Sequence, residues 1–158
     1  MKYSTLCYLE NERGEYLMLH RVKKKNDCNH DKWIGVGGKF EDGESPEECV
    51  LRETWEETGL RLMDWRYRGI VTFVSDQWET EYMHLFTATD WTGEIKACDE
   101  GVLEWINKDA LAALPQWEGD KLFLRLIHDA DTPFFSLKLR YEGEHLCYAA
   151  LNGKELAR

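Results

Sequence analysis

Short apolar segments separated by polar, glycine-containing turns make up most of the chain, and this pattern predicts more strands than helices. The predicted strands span residues 3–9, 16–22, 33–36, 60–74, 80–89, 102–106, 133–141 and 144–151. Apolar and polar positions alternate irregularly over 60–74, which predicts one long strand or two strands broken near Asp64 or Gly69. The pair Glu142-Gly143 predicts a hairpin turn between the last two strands.

The first predicted helix spans residues 46–58 and has signals at both ends. Ser45 is a favourable N-cap, and Glu48, three residues later, completes a capping box. Pro46 takes the first helical position, where its missing N–H does no harm. Gly59 follows the helix, where a left-handed residue is expected to end it.

Two further helices are predicted later in the chain. The segment KDALAAL forms a short one, capped by Asn107 and closed by Pro115. The other spans residues 119–130, where Leu122, Phe123, Leu126 and Ile127 recur at helical spacing. Helices that fall between more numerous strands indicate a mixed sheet with helices on its faces, an α/β or α+β fold. We expect one domain over residues 1–158.

The helix at 46–58 concentrates negative charge on one side. Glu53 precedes Glu56 by three residues and Glu57 by four, so the three carboxylates are neighbours on the helix surface. Such like-charge pairs cost roughly 0.2–0.5 kcal/mol each on an open surface. One interpretation is a site for a hard divalent cation such as Mg²⁺ or Mn²⁺. The other is a solvated acidic face.

Composition and charge narrow the classes of partner. Hydrophobic residues make up 43% of the 158 residues, which is typical of a globular domain. The net charge of −10 argues against binding a nucleic acid polymer or an anionic membrane surface. A polyanionic ligand would therefore need bound divalent cations to reverse the local field.

Cysteine usage and hydropathy predict a cytoplasmic protein, and the sequence leaves a monomer and a homodimer both open. The five cysteines are widely spaced, without a Cys-x-x-Cys pair, which is typical of reduced thiols. Cys28 and His30 could share a metal, but two such residues on a polar loop are more often incidental. Neither a signal peptide nor a membrane-spanning stretch is apparent.

Residues 37–60 read GGKFEDGESPEECVLRETWEETGL, with glycine, acidic and basic residues at fixed intervals. The spaced positions are Gly38, Glu44, Arg52, Glu53, Glu56, Glu57, Gly59 and Leu60. This pattern resembles the Nudix box, and only Thr54 departs from it, where an aliphatic residue is expected. Thr54 is β-branched and can still pack its methyl group. The chain is therefore identified as similar to the Nudix hydrolase family.

The resemblance implies an α/β/α sandwich with a mixed sheet, and Mg²⁺-dependent hydrolysis of a diphosphate bond in a nucleotide, with Mn²⁺ as the alternative metal. It implies that Glu56, Glu57 and the Gly37 carbonyl bind metal, and that Glu53 is a further ligand or the general base. It also implies that Arg52, together with Glu44, holds the glutamates in place, and that Lys39 contacts a phosphate.

Many family members add an acidic residue from a distant loop. Here Asp99 and Glu100 precede a predicted strand, and we expect Glu100 to be that additional ligand or base. The alternative is that both are surface acids in a turn. A basic run, residues 23–25, is either a solvated loop or a contact to a phosphorylated ligand.

The chain looks most like MutT-type members, which hydrolyse oxidised purine nucleoside triphosphates such as 8-oxo-dGTP. The resemblance implies that Trp117 stacks on the base and that Asp120 hydrogen-bonds its edge. Two departures are Gly119, which replaces a second acid, and Ile34, which replaces a base-contacting asparagine. The alternatives are core packing of Trp117 beside Phe123, and an N-cap role for Asp120.

Phe73 and Met83 lie on predicted central strands, and they line the base pocket or belong to the core. The leading hypothesis is hydrolysis of an intact or oxidised purine nucleoside triphosphate. The alternatives are hydrolysis of ADP-ribose, nucleotide sugars or dinucleoside polyphosphates, and a regulatory module that binds a nucleotide without catalysis. All three box glutamates are present, which disfavours the last alternative.

Overall fold

The computed structural model describes residues 1–157 as nine strands, two α-helices and one 3-10 helix. The strands are β1 (Lys2–Leu9), β2 (Glu15–His20), β3 (Trp33–Ile34), β4 (Leu60–Ser75), β5 (Glu81–Gly93), β6 (Val102–Asn107), β7 (Phe135–Glu142), β8 (His145–Leu151) and β9 (Lys154–Glu155). The helices are α1 (Pro46–Thr58), the 3-10 helix (Lys108–Ala113) and α2 (Glu118–His128). No helix within residues 1–157 is long and apolar enough to cross a membrane.

Six strands form a mixed sheet in the order β1-β5-β4-β7-β8-β9. The pairs β1–β5 and β4–β7 are parallel, and the other neighbours are antiparallel. A smaller antiparallel sheet has the order β3-β2-β6. The predicted mixed sheet and the predicted C-terminal hairpin, which β7 and β8 form, are therefore confirmed.

The two α-helices cover opposite faces of the six-stranded sheet. Along β1, Cys7 and Leu9 enter one hydrophobic core, and Tyr8 enters the other. The first core includes Val50 from α1, and the second includes Phe123 from α2. Because successive side chains of a strand point to opposite faces, this division confirms the predicted α/β/α layers.

The segment predicted as one strand or two is a single strand, β4. Its pairing with β5 shifts register between Leu62 and Trp65 and again before Gly69. A Cβ at Gly69 would lie 2.7 Å from the carbonyl oxygen of Phe135, where β7 begins to pair with β4. The irregular hydrophobic pattern therefore reflects bulges and a close approach of β7, without an interruption of the strand.

Several predicted boundaries are corrected by the structure. KDALAAL forms a 3-10 helix and not an α-helix. Its predicted cap is present, since the Asn107 side chain accepts the N–H of Asp109. The strand predicted over 16–22 ends at His20, and β5 extends to Gly93, where it pairs with the start of β4. The two-residue strand β9 is too short to produce a periodic pattern.

The N-terminus of α2 differs from one interpretation of the sequence. Trp117 is the N-cap residue and makes no side-chain capping hydrogen bond, whereas Asp120 lies in the first turn and is buried. The N-cap role considered for Asp120 is therefore wrong. The first turn of the helix is instead bound to the sheet, because the N–H of Gly119 donates to the hydroxyl of Tyr141 on β7 at 2.7 Å.

The same contact explains why residue 119 is glycine. A Cβ at Gly119 would lie 2.4 Å from Cδ1 of Leu139 and 2.6 Å from the hydroxyl oxygen of Tyr141. Both neighbours are buried in the sheet and have little room to move. The first turn of α2 therefore rests directly on β7.

We expect Gly119→Ala to lower the free energy of unfolding, because the added methyl group overpacks this contact. Overpacking costs about 1–3 kcal/mol, of which the better helix propensity of alanine recovers about 1 kcal/mol. Urea denaturation measures the change. Lys121→Ala, at an exposed position of the same helix, is the control and should stay within about 0.5 kcal/mol. A Gly119→Ala variant that is about 1 kcal/mol more stable than wild type would contradict the close approach, because only the gain in helix propensity would then be seen.

Candidate active site

A glycine segment, defined here as residues 36–40, runs antiparallel along the free edge of β1. The N–H of Thr5 donates to the carbonyl of Gly38 at 2.9 Å, and Cys7 and Val36 exchange hydrogen bonds at 2.6 and 3.0 Å. A Cβ at Gly37 would lie 1.9 Å from the carbonyl oxygen of Thr5. Only glycine allows this approach, which fixes the segment between β1 and α1.

Arg52 joins α1 to the glycine segment. Its Nε and Nη2 atoms donate to both carboxylate oxygens of Glu44, at 2.6 and 2.8 Å. Nη1 donates to Glu53 at 2.6 Å and to Glu56 at 3.1 Å, and Nη2 also donates to the carbonyl of Lys39 at 3.0 Å. Arg52 lowers the pKa of Glu44 to about 2. One guanidinium thus holds three carboxylates and the preceding backbone.

Glu57, which is buried, and Glu100, which is partly exposed, are neighbouring carboxyls. Glu57 accepts the N–H of Gly37 at 3.0 Å, and only 8% of Glu57 is exposed. Burial raises the pKa of Glu57 well above its ordinary value, and the neighbouring Glu100 raises it further. Burial opposes ionisation of Glu100 too, but Arg21 at 3.2 Å and Lys24 at 3.3 Å leave its pKa lowered. The pKa of Glu57 is therefore raised, whereas that of its neighbour Glu100 is lowered.

The donors gathered here suit a hard divalent cation. Carboxylate oxygens are joined by the Gly37 carbonyl oxygen, which accepts no hydrogen bond from the described part of the chain. Two neighbouring carboxyls, one of them buried, are an arrangement that a cation would relieve. Residues 1–157 hold no ready-made group of three or more His, Cys, Asp or Glu in metal-binding position, since Arg52 engages Glu53 and Glu56.

A cavity of about 500 Å³ extends from these carboxylates along the α2 side of the sheet. Of the predicted site residues, it is lined by Ile34, Gly37, Lys39, Glu53, Phe73, Met83, Glu100, Trp117 and Asp120. The other four, Glu44, Arg52, Glu56 and Glu57, lie outside its wall. The cavity therefore has a carboxylate end and an aromatic end.

Trp117 is fixed at the aromatic end. Its ring packs edge-on against Phe73, with centroids 5.2 Å apart, and against Tyr141 at 4.7 Å. Its Nε1 donates to Asn29 at 3.1 Å, and the ammonium of Lys32 lies 4.6 Å from the ring centroid. Trp117 shares a core with Phe123 and lines the cavity as well, so the two interpretations of this residue are compatible.

Asp120 is the least compensated charge at this end. Only 5% of the residue is exposed, and its carboxyl receives no hydrogen bond from residues 1–157. Burial raises its pKa to about 7, against the pull of Lys32. Two buried tyrosines are its titratable neighbours, and Asp120 contributes to the raised pKa of both Tyr8 and Tyr141. The Tyr8 hydroxyl also has no partner within the described residues.

Sequence reasoning missed several residues of the cavity wall, namely Lys2, Ser4, Arg21, Asn29, Trp78 and Glu81. The Ser4 hydroxyl donates to Glu81 at 2.5 Å, which places a second acid near the aromatic end. Strand alternation was the available signal, because Glu81 and the predicted Met83 are two residues apart on β5. Pairing Ser4 with them required the parallel register of β1 and β5.

The basic loop before β3 contributes to both ends of the cavity. Lys24 reaches Glu100, whereas Lys23 donates to the carbonyl of Cys98 at 2.5 Å. Cys28 lines the cavity, and the His30 ring instead bonds the backbone carbonyl of Lys24 at 2.7 Å. The structure therefore does not bring Cys28 and His30 together as a metal site.

Comparison with known proteins assigns the family. The NUDIX domain model matches residues 2–127. The chain belongs to the Nudix hydrolase family. Its members act on phosphoric anhydride bonds and use divalent metal ions. The segment predicted from the sequence thus carries the family pattern, and the site occupies the matched region.

Relatives and solved structures agree with this assignment. The chain is 36% identical to the Nudix hydrolase YvcI of Bacillus subtilis over 73% of this chain and 72% of that protein. It is 34% identical to an oxidized purine nucleoside triphosphate hydrolase of Danio rerio, over 66% of this chain and 67% of that protein. The crystal structure of a MutT protein from Bacillus halodurans superposes with a TM-score of 0.84, at 28% identity over 98% and 99% of the two chains.

We expect Gly38→Ala to inactivate this Nudix hydrolase with little loss of stability. A Cβ at Gly38 would lie 2.2 Å from Oε2 of Glu53, so the carboxylate must move. Misplacement of a catalytic group by about 1 Å costs about 100-fold in rate. Initial rates of substrate hydrolysis measure the effect.

Gly43→Ala is the matched control, because Gly43 has a φ of 80° and nothing within 4 Å of its added Cβ. It should lower the stability by about 1 kcal/mol through backbone strain and leave the rate within twofold. A fully active Gly38→Ala enzyme would show that the Glu53 position does not matter.

Proposed function

We propose that this Nudix hydrolase cleaves an intact or oxidised purine nucleoside triphosphate, such as 8-oxo-dGTP, to the monophosphate and diphosphate. The observation that supports this proposal most strongly is a single cavity that is lined by Glu53 and Glu100 at one end and by Trp117 and Asp120 at the other. A nucleoside triphosphate has the same polarity, with a polyanion at one end and an aromatic base at the other. The named activity of the Danio rerio relative supports this substrate class.

The carboxylate end would hold the phosphates. Mg²⁺, with Mn²⁺ as the alternative, would neutralise phosphate charge there and lower the pKa of the attacking water. The residues that would hold it are Gly37 through its carbonyl, Glu53, Glu56, Glu57 and Glu100. Lys39 lines the cavity with its ammonium outside any ion pair of the described chain, and it would contact a phosphate.

Proton transfer would fall to one of the carboxylates that face the cavity. Glu53 and Glu100 both line it, whereas Glu57 lies behind its wall. Arg52 holds Glu53 at 2.6 Å and would keep it oriented toward the attacking water. Arg21 and Lys24 would hold Glu100 in the same way from the opposite side.

The aromatic end would select the base. Trp117 offers a fixed ring for stacking, and Asp120 offers the buried polar group that reads the base edge. Near neutral pH, a carboxyl with a pKa of about 7 populates both a donor and an acceptor form. Ile34 is apolar, so discrimination would rest on Asp120 and on the Glu81 carboxylate.

We expect Glu57→Gln to reduce metal-dependent diphosphate release by at least about 100-fold, because the amide keeps the Gly37 hydrogen bond but loses the charge. Release is measured with Mg²⁺ on 8-oxo-dGTP, dGTP, dATP, dCTP, ADP-ribose and diadenosine tetraphosphate. Glu47→Gln, on the same helix and without a hydrogen-bond partner in residues 1–157, should retain wild-type rates.

A preference for a purine triphosphate, with 8-oxo-dGTP above dGTP, is the expected result. A preference for ADP-ribose or the dinucleotide would refute the assignment of the aromatic end. No metal-dependent release from any compound, together with measurable nucleotide binding, would support the regulatory module.

We expect Asp120→Asn to alter the pH dependence of stability. The folded-state pKa of about 7 lies above the ordinary value of 3.8, so the folded protein binds the proton more tightly. The contribution of this group to the free energy of unfolding is therefore largest below about pH 4, and it is lost as the pH rises toward 7. The stability of the variant relative to wild type should rise by about 2.5 kcal/mol between pH 5 and pH 8.

Urea denaturation at the two pH values measures this difference. Asp131→Asn, an exposed acid beyond α2, serves as the control and should follow the wild-type pH dependence. Parallel pH profiles for Asp120→Asn and wild type would mean that Asp120 ionises normally in the folded protein.

A further inference from the structure

Glu81 lies on β5 and lines the catalytic cavity of about 500 Å³. In the antiparallel register of β4 and β5 it is directly opposite Phe73, and such pairs share a face of the sheet, with Cβ atoms about 5 Å apart. Phe73 in turn packs against the ring of Trp117, with centroids 5.2 Å apart. The Glu81 side chain therefore lies at the aromatic end, close to the ring on which a base would stack.

One oxygen of the Glu81 carboxylate is held by the protein. The hydroxyl of Ser4, on β1, donates to Oε2 of Glu81 at 2.5 Å. Ser4 is itself buried, with 5% of the residue exposed, and it lines the same cavity. Because β1 is paired in register with β5, this hydrogen bond fixes the orientation of the carboxylate. Ser4 is thus a positioning residue for Glu81.

The other oxygen of the Glu81 carboxylate is available to a ligand. Oε1 is accessible to solvent and accepts no hydrogen bond from residues 1–157. Glu81 also forms no ion pair within the described chain, although Lys2, its register partner on β1, lines the same cavity. An ionised carboxylate has about four lone-pair sites for hydrogen-bond donors. Most of the accepting capacity of Glu81 is therefore unused.

A carboxylate with free lone pairs distinguishes purines by their donors. The Watson–Crick edge of guanine presents a ring N–H and an amino group side by side, and 8-oxoguanine keeps both. These two groups can donate to one carboxylate at the same time. Adenine presents an amino group and an unprotonated ring nitrogen at this edge. That nitrogen would meet a second acceptor with no proton between them, so both acceptors would lose their hydration without gaining a hydrogen bond.

Asp120 does not make this distinction. With a pKa of about 7, it offers only acceptors when ionised, and one donor beside an acceptor when protonated. It can therefore pair with either purine near neutral pH. Asp120 lies on α2 and Glu81 on β5, so the two carboxyls approach the cavity from different elements. The choice between the purines falls to Glu81.

We propose that Glu81, held by Ser4, selects guanine over adenine by accepting both N–H groups of the guanine edge. The inference rests on the proposed function, because that function places a base at the aromatic end of the cavity. It goes further by assigning the base, guanine or 8-oxoguanine, and the residue that reads it. Neither the family pattern in residues 37–60 nor the ring of Trp117 determines this choice.

The test is equilibrium binding of dGMP, dIMP and dAMP to the full chain with Mg²⁺ present, measured by isothermal titration calorimetry. We expect dGMP to bind about 10- to 100-fold more tightly than dAMP, the discrimination typical of a bidentate pair. The base of dIMP keeps the ring N–H of guanine but lacks its amino group, so its affinity should fall between the two. The methyl NMR signal of Met83, which lines the cavity, should shift with each bound nucleotide.

Glu81→Gln is the decisive variant, because the amide keeps the shape of the side chain but offers one donor and one acceptor. That pattern complements adenine. The affinity for dGMP relative to dAMP should therefore fall by at least about 10-fold, and dAMP should bind more tightly than it does to wild type. Glu104→Gln, at an exposed position of β6 outside the cavity, is the matched control and should keep the wild-type ratio.

Ser4→Ala tests the positioning role. Without its hydrogen bond the carboxylate is free to rotate, so the affinity for dGMP relative to dAMP should fall by about 3-fold. A merely structural effect would weaken both nucleotides alike and leave their ratio unchanged. In the Glu81→Gln background, the same substitution should have less effect on the ratio.

Equal affinities of wild type for dGMP and dAMP would overturn the proposal, as would an unchanged ratio in Glu81→Gln. The absence of saturable binding for all three nucleotides, or binding without a shift of the Met83 signal, would overturn it too. Failure of the proposed function gives a different result. If purine triphosphates are not hydrolysed, a preference for dGMP that depends on Glu81 still supports this proposal, whereas hydrolysis without a base preference refutes only the role of Glu81.

Discussion

Mutual repulsion of the carboxylates on α1 is the constraint on which the site depends, and one guanidinium group offsets it. Arg52 binds Glu44, Glu53 and Glu56, and it also fixes the Lys39 carbonyl. The helix and the glycine segment therefore cannot shift independently. Because that segment is hydrogen-bonded along β1, the charges on α1 are positioned relative to the sheet as well. Arg52→Lys would be a non-conservative change, since lysine cannot span these acceptors.

The two ends of the catalytic cavity treat buried charge in opposite ways. At one end, Arg21, Lys24 and Arg52 form ion pairs with the carboxylates of Glu44, Glu53 and Glu100. At the other end, Asp120 is buried beside tyrosine hydroxyls, with only Lys32 to favour its charge. The first arrangement suits a cation and phosphates, and the second suits a neutral, hydrogen-bonding ring. Polarity along the cavity is thus produced by the placement of a few arginine and lysine side chains.

Local interactions explain which parts of this structure could be predicted from the sequence. The bounds of α1 are correct because Ser45 and Gly59 act through hydrogen bonds within a few residues. The role considered for Asp120 at the helix N-terminus was wrong because packing on Tyr141 starts α2 earlier than its apolar pattern. Ser4 and Glu81 were missed because their contact requires two strands 77 residues apart. Sequence periodicity contains no information about which strands become neighbours.

Gly119 links the composition of the proposed base pocket to the packing of the sheet. The resemblance noted from the sequence implies an acid at this position in some related enzymes, but a Cβ here would meet Leu139 at 2.4 Å and Tyr141 at 2.6 Å. Restoring the acid would first require smaller side chains on β7, and each such step alone would open a void in the core. An acid at residue 119 would therefore have to be combined with changes on β7, and either change made alone is expected to lower the stability.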